Sequence, residues 1–239
     1  MARNKGVIFW DFDGTLVRFT SWRFALMDVL NECDPGHNID PEQIRLFLRD
    51  GFPWHKPEEP HLHLGNPDDW WQALEPLFFR CYKGVGYTDE RAVELAGQVR
   101  KQMTKPERYT LFDDTVSVLV GLKQRGWRHI ILSNHIPELP DVVRALELFR
   151  YIDFCIASAA SGYEKPNPQA FSNVLSLVGN PRRAWMVGDN IVSDIRGAEN
   201  AGIPAILVHT QPVEPVKYFA ATLSDVLEII EDNPITLRD

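Results

Sequence analysis

Two kinds of hydrophobic patterning divide the chain. Val7, Ile8, Phe9 and Trp10 form an unbroken apolar, β-favouring run of the kind that fills a strand buried on both faces. It stops abruptly at two aspartates, Asp11 and Asp13, followed by Gly14 and Thr15. From about residue 17 to 108 the apolar positions adopt helical spacing instead. Trp22, Ala25, Leu26, Val29 and Leu30 share one face of a helix predicted over 21–32, and further helices are predicted over 41–49, 67–82 and 88–103. Each begins at a capping residue or an early proline: Ser21, Asp40 before Pro41, Asn66 before Pro67, and Thr88. Residues 51–65, with Pro53, Pro57, Pro60 and three histidines, read as a loop.

Strand–helix alternation returns at Asp113. Helices are predicted over 114–125, 137–148 and 168–178, one ending near 201, and a last over 223–231. Strands over 128–132, 154–157, 184–187 and 205–208 lie between them. Gly126, Gly179 and Gly202 stand where helices should stop. Repeated βα units of this length predict an α/β protein with a parallel, three-layer sheet and right-handed crossovers. The expected organisation is a core of residues 1–18 and 109–239, with 19–108 an all-helical insert after the first strand.

Composition narrows the partners. Lys and Arg number 25 against 33 Asp and Glu, a formal charge of −8, which makes nucleic acid or an anionic membrane a poor partner. Cys33, Cys81 and Cys155 are odd in number and far apart, so they suggest neither a disulfide framework nor a zinc site and fit a reducing cytosol. The first apolar run breaks at Asp11, too soon for a signal peptide, and no other stretch approaches membrane-spanning length. The expectation is a soluble cytoplasmic protein, a monomer or homodimer, acting on a small molecule.

The chemistry-bearing residues follow strands or lie in βα connections: Asp11 with Asp13, Ser133, Lys165, and Asp189 with Asp194. In a parallel sheet all carboxyl ends share one edge, so residues far apart in sequence converge there. Two carboxylates two residues apart repel unless a cation sits between them, and a hard metal ion is the least strained explanation. A strand that merely ends in an Asx-turn is the alternative. Ser133 alone also reads as a helix cap and a lone lysine as solvated. Together the set supplies acidic metal ligands, a hydroxyl beside free backbone N–H groups, and a lysine. That combination suits phosphoryl transfer.

The sequence resembles the haloacid dehalogenase-like (HAD) hydrolases. The resemblance rests on Asp11-Phe12-Asp13-Gly14-Thr15, Ser133-Asn134, Lys165-Pro166-Asn167-Pro168, and Gly188-Asp189 running to Asp194 and on to Gly202. It covers residues 1 to about 20 and about 109 to 215, and implies a Rossmann-like core with the helical insert as a C1-type cap. By that resemblance Asp11 is the nucleophile, and Asp13 the acid that protonates the leaving alcohol and then the base on water. Mg2+ is held by Asp11, the Asp13 backbone carbonyl and Asp189. Ser133 and the Asn134 backbone bind phosphoryl oxygens, Lys165 neutralises them, and Asp194 holds a metal-bound water or orients Lys165. Gly14 lets N–H groups gather round the phosphate, with Thr15 beside it.

Asp13 narrows the reaction, because expelling a halide needs no acid whereas releasing an alcohol from a phosphomonoester does. The expected enzyme is therefore a phosphatase of a small phosphorylated metabolite; a phosphomutase or a catalytically idle scaffold are the alternatives. In the insert, Trp22, Phe24, Trp70, Trp71, Phe78 and Phe79 suit a helical core, and Trp54 and His55 are the candidates for a substrate wall. Trp70-Trp71 stacked on an aromatic leaving group, a metal on His61 and His63, and His135 either at the site edge or facing solvent are further readings of single motifs.

Overall fold

The computed structural model describes residues 5–237. β1 (Gly6–Trp10) is followed by the short β2 (Val17–Phe19). Helices then run without a strand between them: α1 (Trp22–Cys33), α2 (Pro41–Arg45), α3 (Pro67–Gly84), α4 (Asp89–Ala96) and α5 (Val99–Met103). β3 (Tyr109–Leu111) brings the chain back and pairs antiparallel with β2, Val17 opposite Leu111 and Phe19 opposite Tyr109. Alternation follows in α6 (Thr115–Gln124), β4 (Trp127–Ser133), α7 (Leu139–Ala145), β5 (Phe154–Ala157), α8 (Ser158–Ser161) and α9 (Pro168–Leu177). β6 (Ala184–Gly188), a π-helical turn (Ile191–Arg196), α10 (Gly197–Asn200), β7 (Ala205–Val208), β8 (Phe219–Ala220) and α11 (Leu223–Asp232) complete it.

Six strands form one parallel sheet in the order β5-β4-β1-β6-β7-β8. The three-layer α/β architecture expected from the alternation is the one found. β1 lies between β4 and β6, with Trp10 beside both Ile131 and Val187, so the chain leaves it to one side and then the other. That is the switch point at whose carboxyl end open sheets leave a crevice. The unbroken apolar run is explained by its neighbours. Ile8 and Trp10 pack with Trp185 and Val187 under Leu119, Val142 and Val226 on one face. Val7 and Phe9 pack with Ile130 and Met186 under Phe171 and Val174 on the other.

The helices between β2 and β3 bury a separate cluster that includes Leu26, Leu30, Trp70, Trp71, Phe78 and Leu95, joined by Ile136 and Ala159 from beyond β4. Polar contacts reinforce that seam. The Trp71 indole N–H donates to the Glu138 carboxylate at 3.0 Å, and Arg100 Nε donates to the same group at 2.9 Å.

Several boundaries differ from expectation. The helix predicted over 88–103 is two, because the chain turns at Gly97 and Gln98. The one over 41–49 tightens after Arg45 into a 3₁₀ turn, and the loop 51–65 carries 3₁₀ turns at Pro53–His55 and Leu62–Leu64. Asp40, Asn66 and Thr88 accept helix N–H groups as caps, but the Ser21 side chain does not. β2, β3, α8 and β8 are too short to leave a period in the sequence.

Inside the sheet layer, the Trp10 indole N–H donates to His129 Nδ1 at 3.0 Å. Burial pushes the His129 imidazole down to about 4 from its ordinary 6.5. The unfolded chain therefore takes up this proton near pH 6.5 and the folded one resists it until about 4. Stability is indifferent to this group above that window and falls as the pH drops through it, by about 3 kcal/mol in all. Urea unfolding between pH 7 and 4 should show that loss, and His129→Leu should flatten the slope; identical slopes would exclude His129 as the source.

Candidate active site

The carboxyl end of β1 turns sharply. Asp11 still donates its N–H to Val187 at 2.9 Å, and the Phe12 carbonyl then accepts from Leu16 and Val17 at 3.0 and 3.2 Å. Gly14 closes this turn at a φ of +78°, and a Cβ there would stand 2.3 Å from Asp189 Oδ2. Gly188, at the end of β6, would bring a Cβ within 2.2 Å of Asp194 Oδ2. Two glycines thus let the acids of separate segments close on one another.

Lys165 stands at the centre, its side chain 2% exposed. Its ammonium donates to Asp11 Oδ1 at 2.8 Å and to Asp194 Oδ1 at 2.5 Å. Asn134 fixes the lysine's backbone from both sides. Its amide donates to the Lys165 carbonyl at 2.8 Å, and its carbonyl accepts the Lys165 N–H at 2.7 Å. Asp194 spends its second oxygen on the Asn190 N–H at 3.0 Å, while the Asn190 side chain caps the π-helical turn. One oxygen from each of Asp11, Asp189 and Asp194 lies within 4.8 Å of the other two. Of the described residues this is the group whose donors could hold a cation, and His61 and His63 are not in it.

Burial opposes the charge on Lys165, but Asp11 and Asp194 outweigh it and hold the ammonium above its ordinary range. Burial and the neighbouring carboxylates push Asp13, Asp189 and Asp194 up. His135 is 4% exposed, which corrects the solvent-facing reading. Its Nε2 is 3.7 Å from Asp13 Oδ2, its backbone N–H donates to Ser158 Oγ at 3.1 Å, and burial pushes the ring down to about 4.

Above the acids is a cavity of about 280 Å³. Asp11, Asp13, Ser133, Asn134, Lys165 and Asp189 line its floor. Phe19, Trp22, Trp54, Met103, His135 and Ile136 also line it, together with Asn190, Ser193 and Asp194. Gly14 packs against Asp189, and the Thr15 hydroxyl is buried without a hydrogen-bond partner, away from that wall. Trp70 and Trp71 are 1% and 5% exposed within the helical cluster, and neither lines the cavity above the acids. A larger cavity, about 600 Å³, opens at the opposite edge of the sheet between Arg182, Glu199 and Lys217, remote from the clustered acids.

Sequence reasoning missed the Asn134 side chain, and it missed Phe19 and Met103 as wall residues. Nothing local marks those two: Phe19 lies in β2, paired with Tyr109 of β3, and Met103 ends α5, 84 residues further along the chain.

A parallel sheet with acids clustered at its switch point defines a Rossmann-like α/β architecture with its candidate site at the carboxyl ends of the strands. The profile of the haloacid dehalogenase-like hydrolases matches residues 6–202, and the chain belongs to that family. It is a hydrolase. It is 27% identical over 237 residues to the haloacid dehalogenase-like hydrolase domain-containing protein 3 of Bos taurus, covering 93% of this chain and 92% of that one. It is 30% identical over 159 residues to the phosphoserine phosphatase of Thermus thermophilus, covering 65% and 63%. Among solved structures, the putative HAD-hydrolase YfnB of Bacillus subtilis, bound to magnesium, superposes with a TM-score of 0.72 at 18% identity over 95% of this chain and 99% of that one.

Because the half-buried Asn134 side chain holds the Lys165 backbone by two hydrogen bonds, Asn134→Ala should cost about 1–3 kcal/mol of stability. Urea unfolding measures it; a loss under about 0.5 kcal/mol would mean that the lysine is positioned by other contacts.

Proposed function

We propose that the protein is a Mg2+-dependent phosphomonoesterase of small phosphorylated metabolites, working through an aspartyl-phosphate on Asp11. The observation that carries this reading is the buried Lys165 ammonium, bonded to Asp11 and Asp194 on the cavity floor beside Asp13, Ser133 and Asp189. The similarity to the phosphoserine phosphatase of Thermus thermophilus supports the same class of reaction.

The donor set fits a hard cation, since it is oxygen only. Both Asp194 oxygens are already engaged, by Lys165 and by the Asn190 N–H. That leaves the carboxylates of Asp11 and Asp189, with the Asp13 carbonyl, to hold Mg2+, and Asp194 to hold the lysine. Bound there, the ion supplies positive charge against the phosphoryl oxygens.

The protein's own residues do the rest. An Asp11 oxygen attacks phosphorus while the bond from phosphorus to the ester oxygen breaks, and Asp13 gives that oxygen its proton. Water then attacks the aspartyl-phosphate as Asp13 takes the water's proton, which frees phosphate and restores the Asp11 carboxylate. Ser133 and the Asn134 N–H bind phosphoryl oxygens throughout, and Lys165 balances their charge. Residues 19–108 act as a cap whose Trp22 and Trp54 exclude water over the floor.

Phosphate release from a panel of phosphomonoesters should require Mg2+, cease with EDTA, and fall about a thousandfold or more in Asp11→Asn. Asp13→Asn should slow turnover comparably while Mg2+ still raises the melting temperature. Full activity in Asp11→Asn would overturn the mechanism.

A further inference from the structure

The two halves of the cavity differ sharply in chemistry. The charged residues of its wall, Asp11, Asp13, Lys165, Asp189 and Asp194, all belong to the floor, and the lysine is already bonded to two of the acids. The roof is Phe19, Trp22, Trp54, Met103 and Ile136, five apolar side chains drawn from β2, from the helical layer and from the turn after β4. Arg23 pairs with Glu42, Arg100 with Asp68 and Glu138, and Arg108 with Asp28, and none of these three arginines lines the cavity. His135 faces Asp13, and burial lowers the pKa of His55, whose ring lies edge-on to Trp54 at 6.3 Å.

We propose that the leaving group admitted by this site is uncharged and presents a planar or apolar face, a statement of substrate class that rests on the phosphomonoesterase reading above. A carboxylate or second phosphate on that part of the substrate would be desolvated against the roof with no counter-charge, or would lie near the floor's excess of acids. An aryl group or the C–H face of a neutral polyol or sugar meets indole surface instead. That surface is held in place. Trp54 stacks on Phe52 at 4.5 Å and 10°, and Phe52 packs on Trp22 at 4.7 Å. Its size also limits the substrate, because about 280 Å³ lies just below the range of roughly 300–1,000 Å³ common for small-molecule sites.

The test compares esters matched in size but not in charge, on the full chain with Mg2+: 4-carbamoylphenyl phosphate against 4-carboxyphenyl phosphate, and glycerol 1-phosphate against 3-phosphoglycerate. The neutral member of each pair should have a kcat/KM higher on the order of a hundredfold, as expected where a charged group is buried unpaired. Trp54→Arg places a guanidinium on the roof at a half-buried position and should narrow that ratio at least about tenfold, by raising turnover of the carboxylated member. Equal or reversed preference in the unmodified protein overturns this inference and leaves the phosphatase standing. Hydrolysis of none of the four overturns both. A ratio unmoved by Trp54→Arg in a folded variant also counts against the inference, since the roof would then not face the leaving group.

Discussion

An ammonium buried between carboxylates is the constraint on which the rest of the structure depends. Lys165 sits 2.8 Å from Asp11 and 2.5 Å from Asp194 with almost no solvent access. Taking those charges out of water costs several kcal/mol each, and their attraction repays it only when the geometry is closely held. The geometry is held from all sides here. Asn134 grips the lysine's main chain, the Asn190 N–H occupies Asp194, and the sheet fixes Asp11 through its bond to Val187. Three loops that are remote in sequence are thereby locked to one strand end. Removing either side of the ion pair would leave a buried charge without a partner, which is far worse than never having built the pair.

The apolar parts of the molecule are arranged so that this cluster can exist. Two clusters sandwich the sheet, and each takes alternate residues of β1. The third lies in the helices between β2 and β3 and touches the rest through Ile136, Ala159 and the polar contacts of Glu138. Residues 134–138 therefore serve both layers. Asn134 positions the lysine, His135 approaches Asp13, Ile136 joins the helical cluster, and Glu138 anchors Trp71 and Arg100. A five-residue turn after one strand connects the chemistry on the floor to the wall above it.

The sheet was legible because buried parallel strands are written as continuous apolar runs, as β1, β6 and β7 are and as β4 is over Ile130, Ile131 and Leu132. Helix starts with Asp40, Asn66 and Thr88 were legible because a cap is a local event. Convergence of Asp11, Lys165, Asp189 and Asp194 followed from topology once parallel strands were assumed. What sequence could not supply was the partner of each group. Asn134 clamps a backbone 31 residues away, Trp71 reaches Glu138 across 67, and the β2–β3 pair joins segments separated by the whole helical stretch. The break at Gly97 and Gln98 was hidden by a period that continues in register on both sides of it.

Gly14 and Gly188 show why the acids themselves can be so crowded. In the sequence Gly14 reads as a turn residue and Gly188 only as part of a motif, and the phosphate-cradling role suggested for Gly14 concerns its backbone. The structure adds a steric reason that is independent of any ligand. A methyl group at either position would overlap a carboxylate oxygen, of Asp189 in one case and Asp194 in the other. Two carboxylates are thus seated in spaces that exist only because a side chain is missing. The electrostatic cost of that crowding is what Lys165 offsets at one end of the cluster and what a divalent cation would offset at the other. Sequence positions that look like loop chemistry are, in this fold, the clearance that lets opposing acids meet.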